Sequence, residues 1–424
     1  MDISQSTLDY IREHAGDDIR RLAFQSVPEG VDKPFVLNQI ASRQKARRKL
    51  PSWAACEALV YPPSLSLEQC SSETTALYKA SLLERVLPSR GEGCFRMADL
   101  TGGFGVDFSV MARSLAASPM LSGTERRFFY VERQEVLCGC ARHNFPLLGL
   151  TDAEVVCDEA ERFIVDCPSL DVVYFDPARR DAAGQRTYGI HDCTPDATLL
   201  MPVLMGKARV VMVKLSPMLD WHKAVADVNA SIAGQGSVSH VAIVSAAGEC
   251  KEVLLVVQPC LDHPLPEAML ICTEGMVEVF RCPLSDADMF SQPVGVGAGN
   301  YPSLVGRYLF EPSASLMKSG MFGALQRQFG IRCISSNSHL FVSSDTCPEF
   351  PGRHFVIDAV TTLNKRELKE AFRGITQANI TVRNFPLSAV ELRKRLKVKD
   401  GGVTYVMATT LADGTHCLLL CSKV

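Results

Sequence analysis

An open, mostly parallel α/β sheet that closes on an antiparallel hairpin is the fold class this chain predicts, and three features predict it. Short apolar runs alternate with helical stretches, a Gly-rich turn follows the first run, and the last two runs are joined too tightly for a crossover. The alternating runs are CFRMAD, RFFYVE, EVVC, LDVVYF and ARVVMVKL, with VDFSVMARSLA and QEVLCGCARHNF between them at helical spacing. Parallel neighbours need a long connection, usually a helix, so this rhythm reads as a parallel sheet wrapped by helices. The last two runs, SHVAIVSA (Ser239 to Ala246) and KEVLLVVQ (Lys251 to Gln258), are separated only by AGEC, a connection that serves antiparallel strands.

Around this core the chain divides into three regions. Residues 1–88 read as an N-terminal helical cap, with a polar, basic interruption from Arg43 to Trp53 and a turn at Tyr61-Pro62-Pro63. A helix is expected from Glu68 to Leu87, where Ala76, Leu77, Ala80, Leu83 and Val86 repeat at helical spacing. Residues 89–262 hold the α/β domain. Pro264 and Pro266 mark a boundary, and 263–424 form a second, α+β region whose last strands turn at Ala412-Asp413-Gly414.

The 424 residues suit two or three domains. A 47% hydrophobic content, 21% charged residues and a net charge of -3 exclude a disordered or generally basic chain, so any nucleic-acid contact must be local. No run approaches the roughly 18 apolar residues that a membrane helix needs, and the first residues lack a signal pattern, so a cytoplasmic protein without membrane contact is expected. The 16 cysteines include no CxxC pair, and those in apolar stretches, such as Cys94, Cys157 and Cys272, read as buried free thiols. Cys138 and Cys140 lie two apart in a helix and face different ways, and His191, His222 and His339 are isolated, so no metal site is expected.

The chemistry-bearing residues fall at strand ends. In MADLTGGFGVDFSVMA the strand ends at Asp99, and Thr101, Gly102, Gly103 and Gly105 precede a helix that opens with Asp107. Small residues there let the backbone pass close to a ligand at the carboxyl end of the first strand, although such turns also serve dinucleotides or are merely tight. Glu132 ends the second run, where a carboxylate can accept both hydroxyls of a ribose, or simply be solvated. Asp158 follows the third run and can receive an adenine amino group, or cap a helix. Asp176 and Pro177 leave the fourth run, in a position to hold an amine in line or to open a turn. Three acids in order on successive strand ends behind a glycine loop carry more weight than any one of them.

These residues carry a resemblance. DLTGGFGVD, VER, CDEA and FDPARR look like the motifs of Rossmann-like class I methyltransferases, within the bacterial group that has a THUMP-like C-terminal domain. EQCSSETTALYKA resembles that group's pre-core helix, KLSPMLD its fifth-strand turn, YLFEPSASLMKSG and FPGRHF its C-terminal domain, and ANITVRNFPLSAVELRKRLKVKDGG its terminal segment. The resemblance implies a seven-stranded sheet with a terminal antiparallel hairpin, an S-adenosyl-L-methionine cofactor and an RNA-directed methyl transfer. It also implies donor contacts at Asp99, Thr101, Gly102, Gly103, Gly105, Asp107, Glu132 and Asp158, with Asp176, Pro177 and Arg179 at the acceptor.

Two departures bear on the acceptor. Enzymes that methylate exocyclic base amines place an aromatic residue after the prolines at the fourth strand; here the run is Asp176, Pro177, Ala178, Arg179, with Tyr188 as a substitute. DPAR also resembles the motif of uracil carbon-5 methyltransferases, but Ser216 and Pro217 stand where their cysteine would be needed, and Cys193 lacks a thiolate setting. Arg179 and Arg180 suit phosphate, or pair with acids such as Asp181. Ten Lys/Arg against three Glu between Lys365 and Lys399, and the cluster Arg43 to Lys49, are either phosphate-tracking surfaces or ordinary solvated faces. Phe385 and Pro386 read as core and turn. The alternatives to an RNA methyltransferase are a small-molecule or protein methyltransferase, and a non-catalytic RNA-binding protein with a retained donor-like pocket. A nicotinamide-dependent oxidoreductase conflicts with the terminal hairpin.

Overall fold

The computed structural model describes residues 3–88, 93–179, 189–260, 267–286 and 300–424. They form two compact units, Met1–Val244 with Lys251–Pro266 and Ser245–Cys250 with Glu267–Val424.

The first unit begins with α1 (Gln5–Glu13), α2 (Ile19–Leu22), α3 (Lys33–Lys49), α4 (Pro51–Ala54), α5 (Ser64–Gln69) and α6 (Glu73–Val86). Tyr10, Ile11, Leu22, Val31, Val36 and Ile40 make a buried cluster among the first three helices. The expected basic interruption at Arg43 is absent, for α3 runs unbroken to Lys49. Arg47, Arg48 and Lys49 fill its last turn, where cations offset the negative helix end, and Lys49 Nζ donates to the carbonyls of Leu67 (2.9 Å) and Glu68 (2.7 Å). The single helix expected from Glu68 is two, because the Ser72 hydroxyl accepts the Thr75 N–H and starts α6 as an N-cap.

The α/β core follows as β1 (Phe95–Asp99), α7 (Val106–Ala117), β2 (Arg126–Val131), α8 (Glu135–Leu147), β3 (Ala153–Val156), α9 (Ala160–Asp166), β4 (Leu170–Phe175), β5 (Ala178–Arg179), β6 (Cys193–Thr194), α10 (Ala197–Met205), β7 (Ala208–Leu215), α11 (Trp221–Ile232), β8 (Gly236–Ala246) and β9 (Glu249–Pro259). Neighbouring strands run in the order β8-β9-β7-β4-β1-β2-β3. From β7 to β3 all pairs are parallel, and β9 meets β7 antiparallel. The predicted α/β sheet with its terminal hairpin is therefore present. β4 is buried along its whole length, as a parallel strand covered on both faces must be.

The second unit opens with β10 (Met269–Glu274) and β11 (Val277–Pro283), an antiparallel pair. The Gly275 N–H donates to the Ser245 carbonyl at 2.7 Å, at the tip that belongs to this unit, so the hydrogen-bonded order reaches nine strands rather than seven. Then come β12 (Tyr308–Pro312), α12 (Ala314–Ser319), α13 (Phe322–Phe329), β13 (Arg332–Cys333), β14 (Phe341–Ser343), β15 (Gly352–Thr361), α14 (Lys365–Ala371), β16 (Asn379–Arg383), α15 (Ala389–Leu396), β17 (Thr404–Thr410) and β18 (His416–Lys423). Their sheet runs β13-β14-β12-β15-β18-β17-β16. Two motif segments meet in it: Glu311 of YLFEPSASLMKSG, nearly fully buried, accepts from Arg353 of FPGRHF (2.6 Å) and from Arg383 (2.8 Å). Phe385 packs beside His416 in the core under β16 to β18. Among the described residues no helix is long and apolar enough to cross a membrane, and all 16 cysteines are free. Of the three expected to be buried only Cys272 is: Cys94 is half-buried at the edge of β1 and Cys157, just past the end of β3, is exposed.

Candidate active site at the carboxyl edge of the sheet

Strand order converts the spacing of acids in the sequence into a row in space. Because β3, β2, β1 and β4 are consecutive neighbours, their carboxyl ends set Asp158, Glu132, Asp99 and Asp176 side by side. The row continues across β7 and β9, whose register places Lys214 and then Glu252 beyond Asp176. Above it lies a cavity of about 250 Å³ lined by Asp99 to Asp107, Glu132, Asp158, Asp176 and Ala178, together with Gln69, Cys70, Ser71, Arg133, Glu159, Glu161, Tyr174 and Pro195.

The glycine loop is pinned from below and open above. The Gly102 N–H donates to the Val131 carbonyl at 2.8 Å, and a Cβ on Gly102 would lie 2.2 Å from the Tyr130 ring. Tyr130 in turn donates its hydroxyl to the Gly103 carbonyl. Gly105 caps α7 at φ 83°, with Phe145 so close that a Cβ would meet it at 2.9 Å. Gly103, at φ 55°, faces open space apart from the Thr101 carbonyl at 3.7 Å. Both positions need left-handed backbone, which glycine adopts without penalty.

Each acid has a distinct environment. Glu132 accepts the Gly103 N–H on one oxygen and the Gln134 N–H on the other, both at 2.9 Å, and a carboxylate retains lone pairs for further donors. Asp158 accepts the Glu159 N–H at 2.8 Å but does not cap α9, whose N-cap is Glu159. Asp99 is fully buried and, among the described residues, accepts only the Thr101 N–H, at 3.0 Å. Burial, reinforced by the nearby charges of Asp107, Asp176 and Glu132, pushes its carboxyl well above the usual range, against the pull of that N–H.

Asp107 points into a polar network invisible to local sequence patterns. Its carboxylate accepts from the Ser71 hydroxyl (2.7 Å) and the Tyr174 hydroxyl (2.8 Å), and meets Lys79 at 3.2 Å. Lys79 is completely buried and pairs at 2.6 Å with Glu252, itself buried. Burial raises Asp107, but Lys79, Lys214 and the two hydroxyls outweigh it, so its carboxyl lies below the ordinary value. In Glu252 burial wins and the carboxyl is raised, despite Lys79 and Lys214. Lys214 forms an ion pair with Asp176; burial acts to lower its pKa, yet the carboxylates of Asp176, Glu252 and Asp107 hold it above the ordinary lysine value.

Of the predicted acceptor residues, Asp176 stands at the cavity, its N–H donating to the Thr101 hydroxyl at 2.7 Å. Pro177 is buried between β4 and β5. Arg179 takes its place in β5 opposite Cys193, and its side chain, like Arg180, Asp181 and Tyr188, lies outside the described residues. Lys79, Lys214, Glu252, Tyr130 and Tyr174 were not singled out from the sequence. At the start of α8, the ligand atoms of Glu135, the buried Cys138 and Cys157 lie within 4.8 Å of one another, with Glu135 also held by Arg142 at 2.6 Å. Cys157 comes from the end of β3, so spacing within α8 could not reveal this group.

Comparison with known proteins bears on this arrangement. Residues 352–423 match the THUMP domain-like family model, and 308–351 match a ferredoxin-like domain model. The chain is similar over its full length, at 29% identity and a TM-score of 0.78, to all of a crystal structure named as a "putative methyltransferase from Porphyromonas gingivalis W83". A "putative class I S-adenosylmethionine-dependent methyltransferase" of Listeria monocytogenes matches at 10% identity and a TM-score of 0.41, over 65% of this chain and 94% of that one. A precorrin-6y C5,15-methyltransferase of Geobacter metallireducens GS-15 matches at 16% identity and a TM-score of 0.30, over 44% and 88%. The last two are too distant to bear on the site. None of the curated proteins matches the chain. The first unit thus has a methyltransferase-like α/β fold, and the second carries a THUMP-like domain.

Proposed function

We propose that the chain is an S-adenosylmethionine-dependent methyltransferase that acts on RNA, with an exocyclic base amine as the acceptor. The observation that carries this reading is the carboxyl-rich lining of the cavity. Asp107 and Asp176 are paired with Lys79 and Lys214 and burial favours the neutral form of Asp99, but Glu132, Asp158, Glu159 and Glu161 still line it against the Arg133 guanidinium. A site so rich in carboxyls repels the pyrophosphate of a dinucleotide and suits a ligand that carries an ammonium and a sulfonium. The residues present also fit the rest of the group. Gly103 leaves open space over the loop for the amino-acid moiety, with Thr101 and Gly105 beside it, and Gly102 keeps the loop down on Tyr130. Glu132 has lone pairs left for ribose hydroxyls, and Asp158 has one for the adenine amine.

When bound, the donor supplies a methyl group on an electrophilic sulfonium. The chain supplies orientation and a site shielded from water, which are what direct in-line transfer requires. Asp176, fixed by Lys214, and the Pro177 carbonyl hold the hydrogens of the acceptor amine. Asp99 and Asp107 are walls of the donor site, the first through its buried carboxyl and the second by tying α7 to Lys79. Residues 1–88 serve as the cap, 89–262 as the catalytic domain and 263–424 as the RNA-facing region. The THUMP-like domain and the basic stretch Lys365 to Lys399 support RNA as substrate, and Arg179 is assigned to a substrate phosphate. Sixteen free thiols fit a reducing cytoplasm.

The run Asp176, Pro177, Ala178, Arg179 favours one second reading, a small-molecule or protein acceptor, because Arg179 stands where a base-stacking aromatic is expected. Incubating the protein with donor labelled in the methyl group and with total bacterial RNA tests the choice. Label in RNA that disappears in Asp176→Ala, while donor affinity changes by less than about threefold, is the expected result. Label confined to protein or small-molecule fractions supports the second reading, and equal loss of donor binding and turnover contradicts the role of Asp176.

A further inference from the structure

Away from the sheet edge, the first unit holds another cavity of about 230 Å³, between α1, α3 and the segment after α4, and three arginines reach it. Arg12 is from α1, and Arg43 and Arg47 are from α3, four residues apart and so on one face of the helix. Glu57 is the one carboxylate that lines the cavity with them. Arg12 already pairs with Glu57 and with Asp9, each at 3.1 Å. Arg47 donates to the Ala15 carbonyl at 3.5 Å and meets no carboxylate among the described residues.

Arg43 is the unusual member. It is half-buried, its Nη2 donates to the Leu59 carbonyl at 2.9 Å, and its guanidinium lies 5.8 Å from the centre of the Tyr61 ring. Its Nε is buried without a hydrogen-bond partner, and among the described residues no ion pair engages it. Burial lowers its pKa from the ordinary arginine value, an unfavourable effect that the partial pull of Tyr61 and Glu57 does not reverse. A half-buried cation without a counter-ion carries part of the cost of desolvating a charge, and a like-charged neighbour at i+4 adds to it. An anion in the cavity removes both penalties. Guanidinium forks match the oxygens of phosphate in shape as well as charge.

We propose that this cavity is a phosphate-binding site, filled by a backbone phosphate of the nucleic-acid substrate. The choice of RNA as the source rests on the function proposed above; the phosphate chemistry rests on the three arginines. The basic run Arg43 to Lys49 thereby gains a specific use within the cap, with Arg43 gripping the anion and Arg12 and Arg47 closing its sides.

The test uses the full chain and the variants Arg43→Gln and Arg47→Gln, whose folding and donor affinity are checked first by thermal melting and calorimetry. Arg47 is exposed, so its variant keeps the test readable if Arg43→Gln unfolds. Inorganic phosphate is titrated while its phosphorus line width is followed, and fluorescently labelled transfer RNA is titrated at a series of salt concentrations. The expected result is broadening with the native chain that weakens in each variant, RNA affinity several-fold lower, and a salt slope reduced by up to about 0.7–0.9, the share of the one phosphate the site holds. Phosphate binding that depends on the arginines, with an RNA slope that does not, supports the site but assigns it to a free phosphate compound. RNA that fails to bind the native chain, with phosphate binding intact, sinks RNA as the substrate and leaves the site standing. RNA binding with an unchanged slope in both variants, and no phosphate broadening, overturns the site and spares the RNA reading.

Discussion

Asp99 and Glu132 occupy equivalent strand ends, yet burial and hydrogen bonding give them different chemistry. Both line the cavity, but Glu132 receives two backbone N–H bonds, whereas Asp99 receives one and is the more deeply buried. The raised pKa of Asp99 has a consequence for stability. A carboxyl whose folded pKa lies above its unfolded value of 3.8 favours the fold at low pH, and that contribution is lost as pH rises through the folded pKa. Asp99→Asn is shaped like the protonated form and does not titrate. Melting the two proteins across pH 4 to 8 should therefore show the native chain losing stability relative to Asp99→Asn as pH rises; parallel curves would exclude a buried, perturbed Asp99. The strand-end acids were legible in the sequence because each closes an apolar run. Lys79 was not, since an isolated lysine in an amphipathic helix reads as solvent-facing, and its partner Glu252 lies 173 residues away.

The glycine loop and the Lys79 network act as elements. The loop was legible from composition, but what fixes it, Tyr130, is a strand residue whose apolar neighbours make it look like ordinary core. Gly102→Ala would drive a methyl group into that ring, costing about 1–3 kcal/mol of stability. Donor affinity should fall more than tenfold in calorimetry, and a variant that binds like the native chain would show that the loop does not form the donor site. In the network, Lys79→Met leaves the carboxylates of Glu252 and Asp107 facing each other without their shared cation, which costs about 3–5 kcal/mol. The double variant Lys79→Met/Glu252→Leu should recover much of that loss in denaturant melts, and strictly additive losses would mean that the pair is not coupled. The unbroken α3 and the split before α6 escaped the sequence reading for a local reason. Basic residues signal either a loop or a helix end, and Ser/Thr clusters signal either a helix start or its interior.

Across the whole molecule, alternation of strands and helices made the first unit's sheet legible, because local period and connection length nearly determine parallel pairing. The ninth and eighth strands of the hydrogen-bonded order were not, since β10 and β11 follow a proline-rich boundary and read as part of the next region. The C-terminal motifs gained a physical meaning in the buried Glu311, which two arginines from separate strands share. The central claim is that the carboxyl edge of the first sheet holds a sulfonium donor. Calorimetric titration of S-adenosylmethionine and S-adenosylhomocysteine into the native chain and into Gly103→Trp, whose indole would fill the open side of the loop, tests it most directly. Binding of both compounds by the native chain and of neither by the folded variant is the predicted result. A folded native chain that binds neither compound, or a variant that binds them equally well, would contradict it.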